Sequence, residues 1–348
     1  MSKPSDKAPR AAPESRNLTP ELENLSVTQV RGLVAGADLT VSGRLHPAWD
    51  AMMEHSTALC DYRRPLATIG LITPDLFNPY FALLASELEK AACDLGADIV
   101  LLPSRNRIEI ELRHITRLES LQLDGLLLVT NNGEQLARHR RVSELGKIVL
   151  LHEPVRGSQW HSVSPDNVEG GRLAARCLGH AGHRKFLYIG GPLESVGARE
   201  RGSGFIAEAA LKALDKNDVT QCFGSYTEKH GYLTVLRLYN EGRLARAIFA
   251  GSDRIGEGAL RAIHDLGLRV PDDVSLVCFN GAGPAHLFRP ALTTVRVSTA
   301  SIAYRGLTLL RRRVGASQRP VRERVDVELV QRDSVARPQE MGWLAAFP

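Results

Sequence analysis

The chain of 348 residues lacks the short signatures on which most enzymes rest. It holds no GxxxxGK[ST] phosphate loop, no GxSxG elbow, no HExxH helix and no GxGxxG turn behind a strand, so no catalytic machinery and no cofactor is expected. Cysteine is sparse. Cys60, Cys93, Cys177, Cys222 and Cys278 are odd in number, scattered and never paired as CxxC, which excludes a disulfide framework and a zinc ribbon and leaves them as buried thiols. His180 and His183 lie three apart at a helix end without a Cys or carboxylate motif beside them, so they read as capping or surface groups and no metal is expected. No apolar run approaches the ~18 residues of a membrane span, and the polar start with Pro4, Pro9 and Pro13 has no signal-peptide core. A cytoplasmic protein without a membrane partner is the expectation.

What is present is an ordinary globular composition, 43% hydrophobic and 24% charged, long enough for two domains and a small third. A net charge of +5 permits a nucleic-acid partner. The surplus does not lie at the start: through Pro65 the basic residues Lys3, Lys7, Arg10, Arg16, Arg31, Arg44, Arg63 and Arg64 are matched by equally many acidic ones. Residues 1–17 read as a disordered tail and 18–65 as helical.

The stretch from Leu66 to Pro103 organises the rest. Ala67 to Ile72 is a short apolar run, as expected of a parallel strand covered on both faces. Asn78 is a good N-cap, Pro79 suits the first helical position, and Phe81, Leu84, Leu88, Ala91 and Leu95 form an apolar stripe ended by Gly96. Asp98 to Leu102 then gives a second strand, completing a βαβ unit. Strand and helix go on alternating. Helices are expected at Ile108–Ser120 and Glu134–Leu145 with strands at Gly125–Thr130 and Ile148–Leu151. A second series follows, with helices at Asn167–Ala181, Ala198–Leu214, Glu228–Glu241 and Asp253–Leu266 and strands at Phe186–Ile189, Ala247–Ala250 and Val274–Phe279. A helix at Ile302–Val314 and one strand at Val325–Val330 close the chain. The fold class is α/β, in two Rossmann-like lobes with parallel sheets.

The order IGL, polar turn, Asn78-Pro79-Tyr80-Phe81, amphipathic helix and DLGADIVLLP resembles the effector core of the lactose-repressor/galactose-repressor (LacI/GalR) family. So, in the family's order, do RLESLQLDGLLLV, SPDNVEGGRLAARCLGHAGHRKFLYIGGP, SVGARERGSGF, IFAGSDRIGEGALRAIHDLGLRVPDDVSLVCFN and PALTTVRV. The resemblance implies a periplasmic-binding-protein-like core over 66–340. Its N-lobe would comprise about 66–163 and 296–324, its C-lobe about 164–292 and 325–340. It also implies a small all-α helix-turn-helix segment at 18–65, with Val27–Val34 and Leu39–Leu45 as its two helices. Thr28, Thr40, Val41, Ser42 and Arg44 would then contact DNA. That segment departs from the family pattern: Ala35-Gly36-Ala37-Asp38 replaces the usual turn, and the link to the first core strand is shortened.

What the resemblance implies is a ligand-responsive regulator, a homodimer or tetramer, binding an operator under control of a small effector. The alternative is a cytoplasmic metabolite sensor that has lost DNA binding. Sheets of this kind bind ligands beyond the carboxyl ends of their strands. The implied effector contacts are Asp75, Asn78, Phe81, His152, Arg201, Ser252, Asp253 and Asn280, while Asp166 and Asn167 read as helix caps. Arg201 matches the family's effector-binding arginine, and Arg201→Ala is expected to remove effector-induced stabilisation while leaving the protein otherwise nearly as stable. Ser252 stands where the family has Asn, and His152 and Asn280 where it often has Asp. The loss of these groups argues against a standard sugar and favours an anionic effector.

Overall fold

In the first strand, β1 (Thr68–Thr73), every residue after Thr68 is buried, as a two-sided strand in the middle of a sheet requires. The computed structural model describes residues 68–336 except 119, 140–141, 143–144, 146, 156–157, 214, 216–217, 284–286 and 312–318. The tail at 1–17, the segment at 18–65 and its residues Thr28, Thr40, Val41, Ser42 and Arg44 lie outside the described residues.

Helix α1 (Pro79–Cys93) starts as its sequence dictates: the Asn78 side chain accepts from the Tyr80 N–H and Pro79 fills the first turn. Its buried stripe is Tyr80, Leu84, Ala85, Leu88 and Ala92, so the core-facing side is rotated slightly from the one expected. Phe81 and Ala91 are left at its margin and Cys93 is exposed on the far side, which corrects its reading as a buried thiol. Cys222 is half-buried, while Cys177 and Cys278 are buried.

The first lobe continues with β2 (Asp98–Pro103), α2 (Ile108–Thr116), β3 (Gly125–Leu128), α3 (Gly133–Arg138), β4 (Ile148–Leu151) and β5 (His161–Pro165). The chain then enters the second lobe through α4 (Asn167–His180), β6 (Phe186–Gly190), α5 (Val196–Ala209), β7 (Val219–Phe223), α6 (Glu228–Asn240), β8 (Ala247–Ala250), α7 (Asp253–Asp265), β9 (Ser275–Asn280) and β10 (Thr293–Val297). It returns in α8 (Thr299–Arg311) and β11 (Arg322–Val325), and crosses again at Asp326 into β12 (Val327–Val330). One six-stranded sheet has the order β11-β5-β4-β3-β1-β2 and is parallel throughout; the other has the order β12-β10-β9-β8-β6-β7, with β12 antiparallel to β10.

Three expectations change. The single closing strand is two strands in different sheets, because alternation through Val325, Val327 and Leu329 carries no mark of the exchange at Asp326. Strands β5, β7 and β10 were not expected, since HSVSP, VTQCF and TTVRV lack an apolar run. The helix expected at Glu134–Leu145 ends at Arg138.

Candidate effector cleft

The carboxyl ends of β1, β4, β6, β8 and β9 lead into the segments that carry the expected site residues, and several of those side chains are already committed to holding the turns. The Asp75 carboxylate accepts from the Asn78 N–H at 2.8 Å and the Asn78 side chain from the Tyr80 N–H at 3.1 Å. Ser252 caps α7, its hydroxyl accepting from the Ile255 N–H at 3.3 Å. Asp253 is buried and accepts from the Ala282 N–H at 2.9 Å, the Gly281 N–H at 3.4 Å and the Thr294 hydroxyl at 3.5 Å, so it ties α7 to the loop after β9. Burial pushes its carboxyl up to about 7, and the two N–H groups work against that rise. Asp166 caps α4 as expected, accepting from the Glu169 N–H at 3.0 Å.

Arg201, on the first half of α5, is only 6% exposed. Its Nε donates to the Asn167 amide oxygen at 2.9 Å and one Nη to the Gly251 carbonyl. The guanidinium lies over the Phe279 ring at 4.2 Å and near the Tyr226 ring at 5.6 Å. Phe279 continues downward into Phe249 and Phe205, stacked at 5.2 Å, so the core of the lobe sets the height of the charge.

The first lobe faces this arginine with three groups. His152 packs edge-on against Tyr80 at 4.7 Å and Phe81 at 6.3 Å. Burial, and then the nearby Arg201, drop its imidazole to about 3, so it is neutral at physiological pH. Tyr80 Oη and His152 Nε2 are both buried without a hydrogen-bond partner. Glu153 is the third. One of its carboxylate oxygens accepts from the Ser195 hydroxyl and from the Gly197 N–H at 3.2 Å, the other from the Val196 N–H at 3.1 Å. A carboxylate of one lobe thus sits on the N-terminus of α5 in the other, where the helix dipole favours negative charge. Burial raises its pKa, against the Ser195 bond, Arg201 and the two N–H groups.

His152 (φ 86°) and Asn280 (φ 108°) are non-glycine residues with left-handed backbones at strand ends, and such strain persists where surrounding structure fixes a functional geometry. Sequence reasoning reached both. It passed over Glu153, whose signal was its place directly after His152 at a strand end, and over Tyr80 and Tyr226. Asn167 was expected to cap a helix; its side chain is buried and holds Arg201 instead.

Away from the cleft, His183 is buried and its Nε2 meets the Ser275 hydroxyl at 2.9 Å. Burial, then Arg246, lower its pKa to about 4. A folded value below the ordinary 6.5 means that His183 costs nothing above pH 6.5 and that stability is lost as pH falls toward 4. The loss runs at about 1.4 kcal/mol per pH unit. Urea titrations at pH 7 and pH 5 should therefore show a smaller acid loss for His183→Gln than for wild type; equal losses in both would refute the assignment. Among the described residues no group of three or more His, Cys, Asp or Glu is placed to hold a metal ion, and no helix is long and apolar enough to cross a membrane. A groove of about 440 Å³ runs beside β7, lined by Cys222, His230, Thr234, Arg237 and Arg243 among others, and shares none of the cleft residues.

Comparison with known proteins bears on this arrangement. A family model, the periplasmic binding protein-like domain, matches residues 169–335. The HTH-type transcriptional repressor PurR of Shigella dysenteriae is 28% identical over 323 residues, covering 90% of this chain and 94% of its own length. That share is larger than residues 68–348 alone could supply, so the likeness enters the N-terminal segment. Among solved structures, a LacI family transcriptional regulator from Enterococcus faecium with bound ribose superposes with a TM-score of 0.68 at 21% identity, over 77% of this chain and 98% of that one. The dimeric Lac repressor does so with a TM-score of 0.68 at 22% identity, over 78% and 99%. The relatives named by function are transcription regulators rather than enzymes.

Proposed function

Because this chain belongs to the LacI/GalR family of regulators, we propose that it is a ligand-responsive, DNA-binding transcription regulator whose interlobe cleft holds a small metabolite that modulates operator binding. The observation that carries the ligand half is the pair of orphaned polar atoms, Tyr80 Oη and His152 Nε2, facing the buried Arg201 of the other lobe. A buried polar atom left unpaired costs about 1–3 kcal/mol, which a bound ligand would recover. A metabolite that makes these contacts only when the lobes are closed biases one of two states, and operator affinity follows that bias. Arg201, His152 and Asn280 would line the ligand, with Phe81 at the margin, while Asp75, Asn78, Ser252 and Asp253 hold the walls in place.

Thr28, Thr40, Val41, Ser42 and Arg44 would make the DNA contacts, two copies reading a pseudo-palindromic operator. A homodimer accords with the likeness to the dimeric Lac repressor and with edge strand β2, where Val100 is 37% and Leu101 43% exposed. The second reading, a sensor without DNA binding, is favoured by the charge balance through Pro65, because surplus positive charge supplies most non-specific DNA affinity. Electrophoretic mobility shift with the promoter region of its own gene decides between them. A regulator gives a retarded band at low salt whose intensity changes with metabolite extract. No band under either condition, together with a metabolite-induced rise in melting temperature, leaves the sensor.

A further inference from the structure

The charge of Arg201 has a partner before any ligand arrives. Glu153 reaches from the end of β4 to the N-terminus of α5, takes up the Val196 and Gly197 N–H groups and the Ser195 hydroxyl, and lies within electrostatic reach of Arg201. An incoming carboxylate or phosphate would seek these same groups: N–H donors at a helix start and a guanidinium beside them.

The guanidinium itself is half spent. An arginine grips an oxyanion through one of two forks, Nε with Nη2 or Nη1 with Nη2. Nε is engaged by Asn167 and Nη1 by the Gly251 carbonyl, so each fork has lost a prong. Beyond what remains of the guanidinium, the buried cleft atoms without a hydrogen-bond partner are uncharged: Tyr80 Oη, and Nε2 of the His152 imidazole that is neutral at physiological pH.

We propose that Glu153 is a resident anion that sets the charge specificity of the cleft: it neutralises Arg201 and fills the α5 N-terminus, so the cleft takes an uncharged hydrogen-bonding ligand, met by Tyr80 and His152, and turns away carboxylates and phosphates. The proposal rests on the cleft being the effector site and reverses the expectation of an anionic effector. That expectation counted two carboxylates missing from the family's positions; one of them is present, displaced by one residue from position 152 to 153.

Inorganic phosphate is a sufficient probe, read as melting temperature against chloride at equal ionic strength. Wild type should show no rise beyond chloride. Glu153→Ala should gain a rise of about 2 °C or more once phosphate exceeds its Kd a few-fold. Adding Arg201→Ala to that variant should abolish the gain. Glu153→Gln keeps the volume and one acceptor of the original, so it guards against misfolding, and it should shift in the same direction. A phosphate response of wild type equal to that of Glu153→Ala overturns the proposal, as does the absence of any gain in both Glu153 variants. Neither result depends on DNA, so a missing band in the mobility shift and a failed phosphate response stay distinguishable.

Discussion

Arg201→Ala is expected to destabilise the protein by about 2–5 kcal/mol in the absence of any effector, because it strips the donor from two buried acceptors at about 1–3 kcal/mol each. The sequence alone suggested the opposite, a ligand anchor whose loss the rest of the fold would barely register. Its surroundings reverse that expectation. Removing the guanidinium leaves the Asn167 amide oxygen and the Gly251 carbonyl without a donor and Glu153 without its countercharge, and it opens a void above Phe279. Surface ion pairs of this protein, such as Arg269 with Asp273, are screened and carry far less. Arg201→Lys keeps a charge but neither the Nε bond nor the planar stack, so it should recover only a minor part. A shift of the urea midpoint is the readout. The coupling is tested by combining Arg201→Ala with Glu153→Gln, which should cost less than the sum of the two single changes. If Arg201→Ala unfolds within about 1 kcal/mol of wild type, below the cost of one buried orphan, the pairing described here is not what holds the lobes together.

How much of this was readable beforehand depended on whether a signal was local. Strand β4 and strand β8 match their apolar runs residue for residue, since both are buried along their whole length. The start of α1 was legible for the same reason, because a cap and a first-turn proline act within four residues. Strand β5 was not. It carries Ser162 and Ser164, buried because β4 and β11 flank them, and no local pattern announces neighbours so distant in sequence. The cleft divides in the same way. Arg201, His152 and Asn280 were named because strand ends in such sheets carry ligands, whereas Glu153 acts on the N-terminus of α5 more than forty residues away. Family comparison pointed at position 152 and so drew attention away from the carboxylate beside it.

Helix packing supplies the other large expected effect. Helices α4 and α5 cross with their backbones in contact: a Cβ on Gly171 would lie 2.1 Å from the Arg201 carbonyl oxygen, and one on Gly204 would lie 2.0 Å from that of Val168. Backbone cannot step aside as a side chain can, so the helices would have to separate by more than an ångström to restore ordinary contact. Intrinsic helix propensity favours alanine over glycine by about 1 kcal/mol. Overpacking costs about 1–3 kcal/mol at a yielding site and more at a rigid one, so the packing term wins. Gly171→Ala and Gly204→Ala are each expected to lower stability by about 2–3 kcal/mol, and together by more than either alone. The consequence extends to the cleft, because Asn167 stands at the start of α4 and Arg201 on α5. Spreading the two helices lengthens the 2.9 Å bond between them and loosens the arginine over Phe279. Denaturant titration of the two variants tests the packing. A Gly171→Ala protein as stable as wild type would mean that the helices part freely, and the rigid seat inferred for Arg201 would have to be given up.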